Sequence, residues 1–148
     1  MAMKKDLEKL TRPNIQNLKP YSSAREQYIG DDFVFMDANE NPYGKTMNRY
    51  PDPLQRDLKK MLAEKENLLE EQVFIGNGSD EIFDLLVRAF CSPGKDNIVV
   101  TEPSYGMYEV MSKVNEVEVR KAALGEEFEL QSEKVLNEVD EHTKIIVI

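Results

Sequence analysis

The chain has 148 residues, 41% of them apolar, which suffices for one domain, or part of one, with a real core. Lys and Arg number 19 against 28 Asp and Glu, and the net charge of −9 excludes a general affinity for nucleic acid or anionic membrane. A bound phosphate must therefore rely on local backbone amides.

The single cysteine, Cys91, excludes an internal disulfide, offers no metal-ligand set and fits a reducing cytoplasm. The first ten residues carry positive charge with no apolar segment behind it. No window approaches the about 18 apolar residues of a membrane span, so a cytoplasmic protein is expected.

Residues 1–32 are polar and weakly periodic, with a short helix expected at Lys4–Leu10 and then an extended arm carrying Pro13, Pro20 and Tyr21. Such an arm packs on something else. Phe33–Met36 reads as a short strand running into Asp37–Gly44, a loop dense in turn formers and side-chain amides, Asn39 among them. Arg49–Pro53 is rigid, because its prolines fix the backbone and with it the direction of Tyr50. For both loops, plain turn chemistry is the competing reading. Asp52 and Pro53 open an amphipathic helix expected to run to about Glu66, with Leu54, Leu58, Met61 and Leu62 on one face.

The organising stretch is Val73–Phe90, where an apolar strand is expected to break through a glycine turn into a helix. Gly76 and Gly78 allow a tight turn and a close approach to the main chain, and Ser79 is a natural N-cap. The amides of Ser79, Asp80 and Glu81 then lie at the positive end of the helix dipole, where an anion fits. Ile82–Phe90 leaves only Asp84 and Arg88 polar and reads as buried on most sides. A capped turn that binds nothing is the alternative, since neither the P-loop nor the full dinucleotide pattern is present.

Further strands are expected at Asn97–Thr101, Val117–Ala122 and Lys144–Ile148, and helices at Tyr105–Val114 and Ser132–Val139. The alternation implies an α/β fold with a largely parallel sheet covered on both faces. Ligands of such sheets sit at the carboxyl ends of the strands, which puts the Gly76–Ser79 turn and the Pro103–Tyr105 turn at one edge. An aromatic ring beside a phosphate cradle suits a flat, phosphorylated cofactor. His142, the only histidine, lies in a charged stretch and reads as solvated, and no nucleophilic set assembles around it.

Taken together, Asn39–Gly44, Arg49–Pro53, Gly76–Glu81, Arg88–Asp96 and Pro103–Tyr108 resemble, in order and spacing, the histidinol-phosphate aminotransferases, over nearly the whole chain. The resemblance is to the N-terminal part of those fold-type I, class II enzymes. It implies an arm at residues 1–32 and, at residues 33–148, an incomplete large domain that binds pyridoxal 5′-phosphate.

By position, Gly78, Ser79 and Asp80 resemble the loop that binds the cofactor phosphate, and Tyr105 the residue stacked on the pyridine ring. Tyr50 resembles the tyrosine reaching the cofactor phosphate of the partner subunit in a homodimer, and Tyr21 and Asn39 resemble substrate-lining residues. The implied reaction exchanges an amino group between histidinol phosphate and 2-oxoglutarate. An aromatic-amino-acid aminotransferase or a phosphothreonine decarboxylase of the same fold is the alternative.

The family's Schiff-base lysine, the aspartate at the pyridine nitrogen and the arginine for the substrate carboxylate follow later in its members and are absent from this chain. It therefore reads as a non-catalytic cofactor-domain fragment when alone. Its last strand has no following helix to cover it, and self-association is expected.

Overall fold

Ile98, Val99 and Val100, three β-branched residues in succession, form the centre of strand β1 (Asn97–Glu102) and are buried on both faces. The computed structural model describes residues 7–22, 34, 36–44 and 47–148. They fall into two units, one of residues 7–18 with 76–148 and one of residues 19–75.

In the first unit, α1 (Pro13–Gln16) precedes α3 (Gly78–Phe90), and β1 is followed by α4 (Met107–Val114), β2 (Glu118–Ala123), α5 (Ser132–Asn137) and β3 (Thr143–Val147). The second unit holds α2 (Arg56–Glu66) and a 3-10 turn at Glu70–Gln72.

The sheet is wholly parallel in the order β2–β1–β3. The chain moves from β1 to one neighbour through α4 and then across to the other through α5. Right-handed crossovers in opposite directions require these helices to lie on opposite faces. The packing agrees: Ile98 and Val100 meet Phe83, Val87, Cys91 and Val117, joined by Tyr108 and Met111 of α4. Val99 meets Ala122 and Val135 of α5 on the other side. The expected α/β architecture is thus present, with three strands and two helices placed within about two residues of their expected bounds.

Four expectations need correction. The helix at α3 is not buried on most sides: Phe83 and Val87 are, while Leu85 and Leu86 remain 42% and 40% exposed. Residues 82, 85, 86 and 89 form a row about a third of a turn from the row that meets the sheet, and one sheet face covers one row. Residues 73–75 are not a strand: Val73 is extended at φ −106° and ψ 122°, but the three-stranded ladder does not include it.

The helix expected from Asp52 starts at Arg56, because Gln55 takes a left-handed conformation while the Asp52 carboxylate accepts the amides of Leu54 and Arg56. Its apolar face stays open, with Leu58 and Met61 at 48% and 68% exposure and Ala63 the buried residue. The strand expected at residues 33–36 includes positions outside the described residues, as does the helix expected at residues 4–10, of which 7–10 are described and helical.

The arm finds its support on α3. The Arg12 amide and guanidinium donate to the carbonyls of Ala89 and Arg88, at 3.0 and 2.8 Å, two acceptors that a helix end leaves free.

At the amino end of the sheet a polar network is closed on itself. Asn97, 1% exposed, donates to Asp140 Oδ1 at 3.0 Å and accepts from Thr143 Oγ1 at 2.7 Å. Arg120 lies 2.8 Å from the other Asp140 oxygen. The Asn97 amide, then the His142 backbone amide and Arg120, hold the Asp140 carboxyl well below the usual carboxylate range, against an opposing effect of desolvation.

Candidate functional site

The first turn of α3 is shaped by two glycines for different reasons. Gly78 has φ +78°, a conformation that strains any side chain, yet a Cβ there would meet open space. At Gly76 a Cβ would come 2.6 Å from Ile82 Cδ1 and 3.0 Å from Glu81 Oε2, so that position is constrained by close approach.

The N-cap is Asn77, not Ser79. The Glu81 carboxylate folds back to accept the Asn77 amide at 2.5 Å, while the Gly78 amide donates to the Gly76 carbonyl at 3.0 Å. Two of the four amides that an α-helix leaves without an intrahelical acceptor are therefore taken, and among the described residues those of Ser79 and Asp80 find no acceptor and remain for a ligand. Sequence reasoning placed the cap two residues late because it credited the serine hydroxyl and overlooked a glutamate four residues beyond Asn77.

Since α3 runs into the loop before β1, its amino end lies at the carboxyl end of the sheet. There β1 ends in a cis Glu102–Pro103 peptide bond and the chain turns to Tyr105. The Tyr105 hydroxyl donates to Asp80 Oδ2 at 3.4 Å, which brings the ring to the first turn of α3. The ring is 55% exposed and stands edge-on to Tyr108, with centroids 5.6 Å apart, and Tyr108 in turn packs on Phe83 at 4.9 Å. An accessible aromatic face beside two free helix amides can hold a planar group bearing a phosphate. Tyr105 thus lies beside the turn that holds Gly78, Ser79 and Asp80.

Sequence reasoning missed a cluster of charges at this edge. Lys121 of β2 lies 2.9 Å from Glu102 Oε1 and 3.0 Å from Glu109 Oε2, and Lys113 reaches the other Glu109 oxygen at 2.5 Å. Bonds from Lys113 and then Lys121 hold the Glu109 carboxyl below its ordinary range. The signal available in the sequence was only an alternation of charge, and the strand register supplies the rest.

In the second unit, Glu40 ties the two loops together. Its carboxylate accepts the Tyr50 amide and pairs with Arg49, both at 2.8 Å, and the Asn48 amide group donates to the Asn41 carbonyl at 3.0 Å. Tyr50, Tyr21 and Asn39 are exposed on this unit, the tyrosines at 60% and 88%. His142 lies at the amino end of the sheet, 3.9 Å from Asp96 and 3.6 Å from Glu141, remote from the cradle turn. Burial, reinforced by Asp96, pushes the Cys91 thiol up to about 11, which leaves it protonated and inert. Among the described residues no three His, Cys, Asp or Glu side chains gather to hold a metal, and no helix is long and apolar enough to cross a membrane.

A parallel sheet with helices on both faces, a glycine turn at its carboxyl edge and an aromatic ring alongside define an α/β protein with a ligand crevice at the ends of its strands. The profile of the family described as Aminotransferase class I and II matches residues 31–148, and the chain belongs to that family. It is 56% identical over 144 residues to histidinol-phosphate aminotransferase of Parabacteroides distasonis, covering 97% of this chain and 42% of that protein. The same enzyme of Cytophaga hutchinsonii is 52% identical, with 96% and 42% covered. Among solved structures, tyrosine aminotransferase of Leishmania infantum is similar with a TM-score of 0.55 and 28% identity, over 64% of this chain and 28% of that one. The chain thus spans 42% of the length of the curated relatives it matches.

Proposed function

We propose that this chain serves as the N-terminal part of a cytoplasmic, homodimeric histidinol-phosphate aminotransferase that exchanges an amino group between histidinol phosphate and 2-oxoglutarate. Residues 1–32 are its arm, and residues 33–148 are the beginning of the large domain that binds pyridoxal 5′-phosphate. The observation that carries the reading is the meeting of Tyr105 with the first turn of α3, 3.4 Å from the hydroxyl to Asp80, in a chain 56% identical to a relative of that name.

Here the amides of Ser79 and Asp80, beside the open space at Gly78, receive the cofactor phosphate at the positive end of the helix. Because Phe83 and Val87 anchor α3 in the core, those amides are fixed before binding. The Tyr105 ring, supported from the side by Tyr108, would stack on the cofactor's ring. When bound, the cofactor supplies an electron sink for bond cleavage at the substrate carbon that bears nitrogen. By the family resemblance, Tyr50 would reach the cofactor phosphate of the partner subunit, and Tyr21 and Asn39 would line the substrate side.

Assay of the complete gene product on histidinol phosphate and on phenylalanine, each with 2-oxoglutarate, tests the proposal. Preference for histidinol phosphate is expected, and a strong preference for phenylalanine would overturn it. The 148-residue chain alone should show no transamination.

A further inference from the structure

We propose that Lys121 is a positioning residue for the Tyr105 ring: by bridging Glu102 and Glu109 it closes the Pro103–Gly106 turn and holds the ring beside the amides of Ser79 and Asp80. The inference rests on the reading of Tyr105 as the stacking residue. Glu102 is the last residue of β1 and Glu109 lies in the first turn of α4, so they bracket the turn that carries the ring. Lys121 Nζ sits 2.9 Å from one and 3.0 Å from the other. An ammonium with three donors can take two carboxylates at once. Alongside, the Leu124 amide donates to the Glu102 carbonyl at 3.0 Å and fixes the end of β1 against β2.

Among the described residues nothing else grips the turn as firmly. The ring is 55% exposed, its contact with Tyr108 is edge-on, and its hydroxyl contact at 3.4 Å is long. Within the turn, the Tyr108 amide reaches the Tyr105 carbonyl at 3.2 Å, a bond that shapes the turn without anchoring it to the sheet. Removing the ammonium alone would leave Glu102 without this tie while Lys113 still holds Glu109, so the two ends of the turn would lose the bridge between them. Because the side chain of Lys121 is 43% exposed, the cluster adds little to global stability. Its effect falls on the ring.

The test is titration of the complete gene product, stripped of cofactor, with pyridoxal 5′-phosphate and separately with inorganic phosphate, following the induced circular dichroism of the pyridoxal band. Lys121→Met is expected to weaken pyridoxal 5′-phosphate about tenfold and to diminish the band, while phosphate affinity stays within about twofold, because the amides are untouched. Lys121→Arg should restore most of the loss, and Glu109→Gln, a milder change, should produce a smaller loss of the same sign.

A parallel fall in both affinities and in melting temperature would make Lys121 merely structural and overturn the proposal. If Tyr105→Ala weakens pyridoxal 5′-phosphate and Lys121→Met does not, the stacking reading stands and the positioning role is refuted. If Tyr105→Ala changes nothing, the stacking reading fails and the positioning role fails with it.

Discussion

At the amino end of the sheet Asn97 is 1% exposed and its side chain both donates, to Asp140, and accepts, from Thr143. At the carboxyl end Tyr105 is 55% exposed, and its hydroxyl reaches Asp80 only over 3.4 Å. The first arrangement satisfies buried polar groups and locks three parallel strands in register. Among the described residues, the second leaves amides without acceptors and a ring without a face-to-face partner, which costs stability and creates a place for a ligand. The difference assigns stability to one end and binding to the other, and substitutions at the two ends should separate the two properties.

The largest effect is expected from Asn97→Ala, which removes a buried side-chain amide together with its bonds to the Asp140 carboxylate and the Thr143 hydroxyl. A loss of about 1–3 kcal/mol follows from deleting two hydrogen bonds of a buried group, one of them to a carboxylate, readable in the midpoint of denaturant unfolding. Phosphate affinity, measured separately, should not change.

The same network makes a pH prediction. The folded-state pKa of Asp140 is depressed below its ordinary 3.8, so its contribution to stability is fully present above that value and is lost as pH falls through and below it. Acid unfolding of Asp140→Asn, compared with the parent, should show a flatter dependence below about pH 4. An unchanged slope would mean that another carboxylate dominates the acid limb.

Gly78→Ala comes next and probes the binding end. A Cβ at Gly78 meets nothing, so the cost is the left-handed conformation alone, about 1–2 kcal/mol. Here phosphate affinity should fall together with stability, because relief of the strain turns the Ser79 and Asp80 amides away. A melting temperature that drops without any change in phosphate binding would remove this turn from the site.

How far the sequence discloses each end follows from how local its determinants are. The turn at Gly76–Ser79 is visible because glycine conformation and helix-start chemistry act within a few residues, and β1 is visible because Ile98, Val99 and Val100 have no polar neighbour between them. The Asn97 network joins residues 43 and 46 positions apart, and only the parallel pairing of β1 with β3, with its irregularity after Asn97, brings them together. Lys121 meets Glu102 across 19 residues for the same reason, through the register of β2. The α3 helix shows the opposite failure. Its composition announces burial, but composition does not say which rows a single sheet face can cover, and Leu85 and Leu86 stay open.

The smallest effect is expected from Tyr105→Phe, the counterpart at the binding end of Asn97→Ala. Both changes delete one hydrogen-bonding group, but the Tyr105 hydroxyl is near solvent and its 3.4 Å contact lies at the limit of a useful bond. Water replaces Asp80 as its partner at little cost, so stability should change by less than about 0.5 kcal/mol. The melting temperature should then move by no more than about 2 °C. The ring itself remains, supported by Tyr108 at 5.6 Å, so affinity for pyridoxal 5′-phosphate should stay near that of the parent. Calorimetry together with a cofactor titration checks both expectations. A drop as large as that of Asn97→Ala would show the hydroxyl to be a structural tie, and the carboxyl end of the sheet would then be locked as firmly as the amino end.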